Sequence, residues 1–281
     1  MSADLQRYDR PSVRVVQLSL LAGILALLTF PFLVMVSTAF KTAPEVVVLP
    51  PTWIPRDPAP GNFLDVWSYV PLARFFINSF IIAGGAMLLN AVAAIPAGFA
   101  LARLRFPGRS AVLLVVIATQ MFSPLVMLIA SFQMMTTLRL VNTYWSLILL
   151  DATVTLPFTI WMMTAYFSTI PEEIEEAATL DGAGRLRQFV DHFLPLSVPG
   201  VVTVMTFSFV IAWNEFVFAL TFISNEDLRP LTTGIYGFVG RYDIQWQYLM
   251  AASILSIVPV FLLFLLVQRR LVSGLTAGAV K

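Results

Sequence analysis

An all-helical integral membrane protein crossing the bilayer six times is the fold class this chain predicts, and three observations predict it: its composition, its run of apolar segments and the placement of its arginines. Of 281 residues, 58% are hydrophobic and only 12% charged, with a mean hydropathy of +0.84. A soluble domain carries about a quarter charged residues. Half that value cannot keep a globular surface wet, so the excess apolar surface faces lipid. The net charge of +1 argues against a nucleic-acid partner, which needs a basic face. The absence of cysteine excludes disulfides, thiolate chemistry and sulfur-ligated metals, and leaves the redox compartment unreadable.

Crossing the hydrocarbon core takes about 20 apolar residues in helix. Six stretches qualify: Val13–Ser37, Phe76–Leu101, Ala111–Phe132, Tyr144–Tyr166, Val201–Ile223 and Ile244–Val267. The first exceeds the apolar core of a signal peptide and lacks a small-residue cleavage site, so it reads as a retained span. Five spans contain a proline (Pro31, Pro96, Pro124, Pro157 and Pro259), each of which removes a backbone donor and bends its helix. The layout is a short N-terminal segment over 1–12, a six-span domain over 13–268 and a tail over 269–281.

Arginine and lysine set the orientation. With the N-terminus cytoplasmic, the inner side receives Arg7, Arg10, Arg14, Arg103, Arg105, Arg109, Arg185, Arg187, Arg269, Arg270 and Lys281. The outer side receives Lys41, Arg56, Arg74, Arg139, Arg229 and Arg241, spread over longer loops. Both termini are therefore expected in the cytoplasm. The outer segment Thr42–Pro71 is too rich in proline for regular structure and is expected to be an ordered irregular loop. Its Trp53, Trp67 and Tyr69 suit the membrane interface.

The inner segment 170–199, between spans four and five, is more patterned than a connector requires. Thr169 and Glu172 have capping-box spacing, with Pro171 tolerated in the first turn. At about 100° per residue, Glu172, Glu175 and Glu176 share one face, and Ile174, Ala177 and Ala178 share the other. Asp181-Gly182 ends this helix. A second helix puts Leu186, Phe189, Val190 and Phe193 on one side and Arg185, Gln188 and His192 on the other, before Leu194-Pro195. Two short helices at a glycine turn make a rigid projection. Its glutamate face would be repelled by an anionic leaflet, so a protein partner is the better fit.

This segment resembles the coupling loop of ABC-importer permeases, whose pattern is E-A-A-x3-G-x9-I-x-L-P. Here it reads Glu176-Ala177-Ala178, Gly182 and His192-Phe193-Leu194-Pro195, with His192 in place of the aliphatic residue. Further stretches are similar to the carbohydrate-uptake branch, the permeases like the second membrane subunit of the maltose importer. They are Asn78-Ser79, the run Ala102–Arg109, Asn142-Thr143, Trp213-Asn214-Glu215 and the ending Gln268–Lys281.

The resemblance implies a type I ABC-importer permease fold in a prokaryotic plasma (inner) membrane. It implies a second homologous permease, two ATPase subunits, an extracytoplasmic solute-binding protein and a sugar or sugar-like solute. The projecting loop would dock on the ATPase through Glu172, Glu175, Glu176, Ala177, Ala178, Asp181, Gly182, Arg185, His192, Leu194 and Pro195. The tail (Gly274, Leu275, Thr276, Gly278 and Lys281) would reach the same subunits, although a frayed end is the default for a terminus. ATP and Mg would sit on the partner ATPases, because this chain has no G-x-x-x-x-G-K-[ST] loop and its only lysines are Lys41 and Lys281. No catalytic constellation, metal cluster or bound cofactor is expected. Trp213, Asn214 and Glu215 offer a stacking face and hydrogen-bonding groups for sugar hydroxyls on a translocation path. The same triplet can equally tie helices together. An ABC permease for glycerol-phosphate, an amino acid or a metal is the nearest rival. A gradient-driven secondary transporter is more distant, since it usually carries several embedded carboxylates.

Overall fold

The computed structural model describes residues 11–240 and 243–276, with side-chain environments over 14–240 and 243–268. All regular structure among the described residues is helical: α1 (Pro11–Ala39), α2 (Ala43–Val46), α3 (Asn62–Tyr69), α4 (Leu72–Arg103), α5 (Arg109–Ala118), α6 (Pro124–Thr137), α7 (Tyr144–Thr169), α8 (Glu172–Leu180), α9 (Arg185–Arg187), α10 (Leu194–Leu196), α11 (Val198–Trp213), α12 (Val217–Phe222), α13 (Leu231–Tyr236) and α14 (Trp246–Thr276). A π-helical stretch, Gln188–Phe193, joins α9 to α10.

Among the described residues, four helices are long and apolar enough to cross a bilayer: Arg14–Ala39, Leu72–Arg103, Tyr144–Thr169 and Trp246–Gln268. Two more apolar pairs are bent, Arg109–Met121 with Pro124–Thr137 by 97° and Arg185–Leu196 with Val198–Trp213 by 76°, which raises the number to as many as six. The six expected segments are thus all helical, but two are not single rods. The third breaks at Phe122-Ser123, where Ser123 is extended (ψ 132°) ahead of Pro124 in the first turn of α6. A residue before proline is pushed out of the helical region, which is the cause. The fifth stops at Trp213 and resumes as α12. Pro31, Pro96, Pro157 and Pro259 lie inside continuous helices, so of the five span prolines only Pro124 marks a break.

Two compact units emerge, the described part of Met1–Tyr69 with Phe238–Leu255, and Val70–Gly237 with Ser256–Lys281. In the first, Asn62 Nδ2 donates to the carbonyls of Ala39 (2.8 Å) and Lys41 (2.9 Å), stapling the loop to the end of α1. The outer segment is ordered as expected but not wholly irregular: α2 and the eight-residue α3 lie within it, the latter after Pro60, where nothing removes a backbone donor.

The second unit is built on α4, α7 and α11, with α4 and α7 the most extensive pair. Small residues allow the approach, as is usual where lipid supplies no hydrophobic drive between helices. A Cβ on Gly98 would sit 2.5 Å from Met163 Cβ, and one on Gly200 2.4 Å from the Tyr166 ring. Polar side chains cross the same seams. Asn90 Nδ2 donates to Thr155 Oγ1 (2.6 Å) and Ser208 Oγ (2.7 Å), joining all three helices. At the other end Asn78 Nδ2 donates to the carbonyls of Asp227 and Arg229, while Tyr144 Oη donates to Asn78 Oδ1. Asn142 Oδ1 accepts the N–H groups of Ser224 and Asn225. The asparagines of the Asn78-Ser79 and Asn142-Thr143 pairs are therefore clasps for the segment after α12.

Gly98→Val is expected to overpack the α4–α7 seam at a cost of about 1–3 kcal/mol, read as a lower melting temperature of the purified protein. Gly84→Val, where a Cβ meets nothing within 4 Å, is expected to leave it unchanged.

Candidate coupling site

The projection forms where α7 ends. Pro171 occupies the N-cap of α8 with an extended backbone (ψ 143°) and no side-chain cap. Thr169 Oγ1 donates instead to Tyr166 O within α7, so the expected capping box is not made. Ala178 is buried and Ile174 packs on the cluster of Phe99, Met163, Phe167, Ile170 and Phe193. Glu172, Glu176 and Ala177 face solvent. Placing Ala177 with the apolar face is thereby corrected.

Glu175 also departs from the wheel. It turns inward, pairs with Arg185 and lies 4.0 Å from Arg103 Nη1. The reason is a buried cation that spacing alone does not announce. Arg103, at the end of α4, is only 8% exposed. Its Nε and Nη2 donate to Phe167 O at 3.1 and 2.6 Å, and Nη2 also reaches Ile170 O. The guanidinium stands 5.0 Å from the Phe193 ring centroid. The final carbonyls of α7 have no partner within their own helix, and a positive charge there is favoured by the helix dipole.

Gly182 has φ +75°, and a Cβ added there would meet nothing within 4 Å. Its glycine is needed for the left-handed turn rather than for room. Ala183 N–H donates to Ala178 O (2.9 Å) and closes that turn. Gln188, expected on the outer polar side, is 2% exposed and braces the two limbs, donating to Thr179 Oγ1 and Ala183 O, each at 2.9 Å. Leu186 is 77% exposed although the wheel put it on the inner side, while Phe189 and Phe193 stack on Phe99 at 4.9 and 5.2 Å. The π-helical stretch explains the burial of Gln188 together with Phe193, since i→i+5 bonding brings residues five apart onto one face; Leu186 precedes that stretch. His192 is partly exposed and its ring makes no hydrogen bond or ion pair among the described residues. Leu194 is half-buried, and Pro195 and Asp181 are exposed.

The result is a braced tip on which Leu180 (89% exposed) and Leu186 flank the Asp181-Gly182 turn. Beside it lies an open cleft of about 930 Å³, lined by Arg103, Arg105, Arg109 and Arg185 and by Glu172, Glu175 and Glu176. Exposed leucines rimmed by charge are the makeup of a protein-docking surface. Among the described residues no three His, Asp or Glu side chains gather as metal ligands.

The second candidate region is the break after α11. Trp213 is buried, stacked on Phe209 (5.5 Å) and edge-on to Phe80 (4.9 Å). Asn214 Nδ2 folds back onto Val210 O. Glu215 accepts the N–H groups of Phe218 (2.7 Å) and Ala219 (2.9 Å), capping α12. Asp151, near the start of α7, is 3% exposed. Its Oδ2 lacks a hydrogen-bond partner among the described residues, and it lines one small void with Glu215. Of the tail residues, Gly274, Leu275 and Thr276 close α14, while Gly278 and Lys281 lie outside the described residues.

Residues 94–277 match the family described as binding-protein-dependent transport system inner membrane component. The chain belongs to this family. The permease is 38% identical over 252 residues to the sulfoquinovosyl glycerol transport system permease protein SmoH of Agrobacterium fabrum, covering 90% of this chain and 88% of that one. It is 32% identical over 273 residues to the melibiose/raffinose/stachyose import permease protein MelC of Bacillus subtilis, covering 96% and 97%. In fold, the permease superposes with a TM-score of 0.81, at 20% identity, on a chain of a bacterial ABC transporter involved in import of the acidic polysaccharide alginate, over 92% of this chain and 98% of that one. The permease is therefore a multi-pass protein of the plasma membrane and a transport subunit rather than an enzyme.

Arg103→Gln is expected to remove the side-chain donors from the Ile170 carbonyl and leave the Phe167 carbonyl with only the Ile170 N–H (3.3 Å), lowering stability by about 1.5–3 kcal/mol. Arg103→Lys is expected to recover only part, because an ammonium lacks the planar fork. Melting temperatures of the purified variants check both.

Proposed function

We propose that this permease carries a sugar or sugar-like solute inward as one of two homologous membrane subunits, driven by separate ATPase subunits that grip the α8–α10 projection. The observation that carries this reading is the braced tip itself: exposed Leu180 and Leu186 on either side of a left-handed Gly182, held from beneath by Arg103 and Gln188. A rigid knob transmits a partner's displacement, whereas a soft loop would absorb it. The relatives named for sulfoquinovosyl glycerol and for melibiose, raffinose and stachyose support a sugar-like solute, delivered from outside by a binding protein. The arginine distribution supports cytoplasmic termini, and the docking face comprises Glu172, Glu176, Ala177, Asp181, Gly182, Leu180 and Leu186. Residues 274–281 would add a second contact with the ATPases.

In this reading Trp213-Asn214-Glu215 serves the path through the break it creates rather than by presenting free sugar-binding groups, since both Glu215 carboxylate oxygens cap α12. One observation favours the rival, gradient-driven carrier: the buried Asp151 that shares a void with Glu215. Uptake into proteoliposomes that needs internal ATP and survives collapse of the ion gradients supports the importer; the reverse supports the rival.

Leu186→Glu and Gly182→Asp are expected to leave membrane abundance near that of the parent and to reduce ATP-coupled uptake at least tenfold. Gly182→Asp suits this test, because aspartate tolerates positive φ better than most residues and the site has space. Normal coupled uptake by both variants would remove the projection from the mechanism. Glu215→Gln is expected to lower the melting temperature while leaving solute affinity unchanged, because charge-assisted caps are roughly twice as strong as neutral ones.

A further inference from the structure

Between Val46 and Ile54 the chain reads Val-Val-Val-Leu-Pro-Pro-Thr-Trp-Ile, nine residues without a charge. The structure turns their apolar side chains outward, with Leu49 87% exposed, Ile54 80%, Val47 69% and Trp53 66%. The polar groups at the base of this segment close on one another instead. Lys41 Nζ donates to Thr52 O, and Glu45 Oε1 accepts from Thr52 Oγ1 (2.9 Å) and Arg56 N–H (2.8 Å).

Depth follows from where the segment touches α1. That helix has 29 residues and is about 43 Å long at 1.5 Å per residue, close to the whole thickness of a bilayer with its headgroups. No charged residue lies between Arg14 and Lys41. Hydrocarbon occupies about 30 Å of that span, leaving roughly 6 Å of polar layer at each end. Ser37 Oγ donates to Trp53 O (2.6 Å), so the backbone lies about one half-turn below the end of α1. The Trp53 ring reaches further, to 5.6 Å from the Phe30 ring. Phe30 sits nine residues before Ala39, about 13 Å down the helix and therefore within the hydrocarbon.

We propose that residues 47–54 are embedded in the leaflet at the C-terminal end of α1, as an apolar wedge whose occupant surface is lipid. Irregular backbone enters this layer only where its polar groups are satisfied. Here Pro50 and Pro51 carry no N–H, Val48 N–H bonds to Glu45 O, and the carbonyls of Thr52 and Trp53 have Lys41 and Ser37 as donors, while the rest of the segment's backbone stays in the hydrated headgroup layer and its side chains reach down from there. Tryptophan at the headgroup boundary fits the same placement. The wedge continues the lipid-facing surface of α1, where Phe32 and Leu33 are 58% and 63% exposed. It fixes the tilt of α1, because the helix cannot lean without dragging the wedge through the headgroup layer.

The chain has no cysteine, which makes a clean test available. Leu49→Cys, Ile54→Cys, Leu33→Cys and Asp57→Cys are each labelled with a nitroxide, assembled with the partner subunits and reconstituted in proteoliposomes. Collision rates with dioxygen and with a soluble nickel chelate are then compared. The substituted side chains at 49 and 54 project from the surface, and equal membrane abundance confirms that each variant folds. Positions 49 and 54 are expected to favour dioxygen several-fold, as position 33 does, with position 57 favouring nickel. Nickel preference at 49 and 54 overturns the proposal. Nickel access there that disappears only when the solute-binding protein is added also overturns it, and makes the segment a protein-docking surface.

Discussion

The last turn of α7 has carbonyls beyond its own hydrogen-bond ladder, and the guanidinium of Arg103 reaches two at this terminus from the end of α4: Phe167 O, which the Ile170 N–H meets only at 3.3 Å, and Ile170 O. An unpaired buried carbonyl costs as much as a lost hydrogen bond, and a buried cation costs more unless it is paired. Each defect here is the other's remedy. The two longest helices of the second unit, α4 and α7, are thereby locked at one end. The same cation lies against Phe193 and near Glu175, so the projection is seated on the lock rather than merely attached beside it.

That arrangement gives force a path. A displacement of the tip is carried through Gln188 into the α8 limb and through Phe189 and Phe193 into Phe99 and Phe167, aromatic contacts buried at the foot of α4 and α7. Close-packed interiors transmit strain instead of dissipating it. Farther along the same helices, Asn90 ties α4 to α7 and α11 through Thr155 and Ser208. In the proposed function, motion of the tip would thus reach three helices together, which is what a rigid-body rearrangement needs.

Much of this was legible from residue order. Hydropathy located α1, α4 and α7 within a few residues at each end and the start of α14, because a stretch that must face lipid has no other composition open to it. The Glu176-Ala177-Ala178 and Gly182 spacing located the projection. What stayed hidden depends on contacts between distant segments. Arg103 looks like one more inner-side arginine until α7 is known to end beside it. Gln188 shares the buried face with Phe193 because of a π-helical stretch, whose i→i+5 bonding leaves no mark in a pattern read at 3.6 residues per turn. Proline alone does not tell a break from a continuous span: Pro31, Pro96, Pro157 and Pro259 sit in continuous helices, since in a membrane neighbouring helices can re-satisfy the freed carbonyls.

The break after Trp213 has no proline, and its cause lies in Glu215. A carboxylate accepting two N–H groups at the head of α12 makes a helix start there, and a start requires that the preceding helix stop. The backbone carbonyl of Glu215 also accepts Thr232 Oγ1, tying the break to α13. Capping an internal helix end with a carboxylate is costly in hydrocarbon unless the charge stays matched to the dipole it faces. A kinked continuous span would have been easier to build. The short α11, about 24 Å at 1.5 Å per residue, is too short to cross alone, so the chain must turn within the membrane layer. It does so next to Asp151, whose Oδ2 has no partner among the described residues. Two carboxylates and an interrupted backbone thus meet in one place, between α7 and the end of α11. It lies at the opposite end of these helices from the Arg103 lock, where Asn78, Ser79 and Asn142 clasp the segment that follows α12, so each end of the packing is held by its own set of polar contacts.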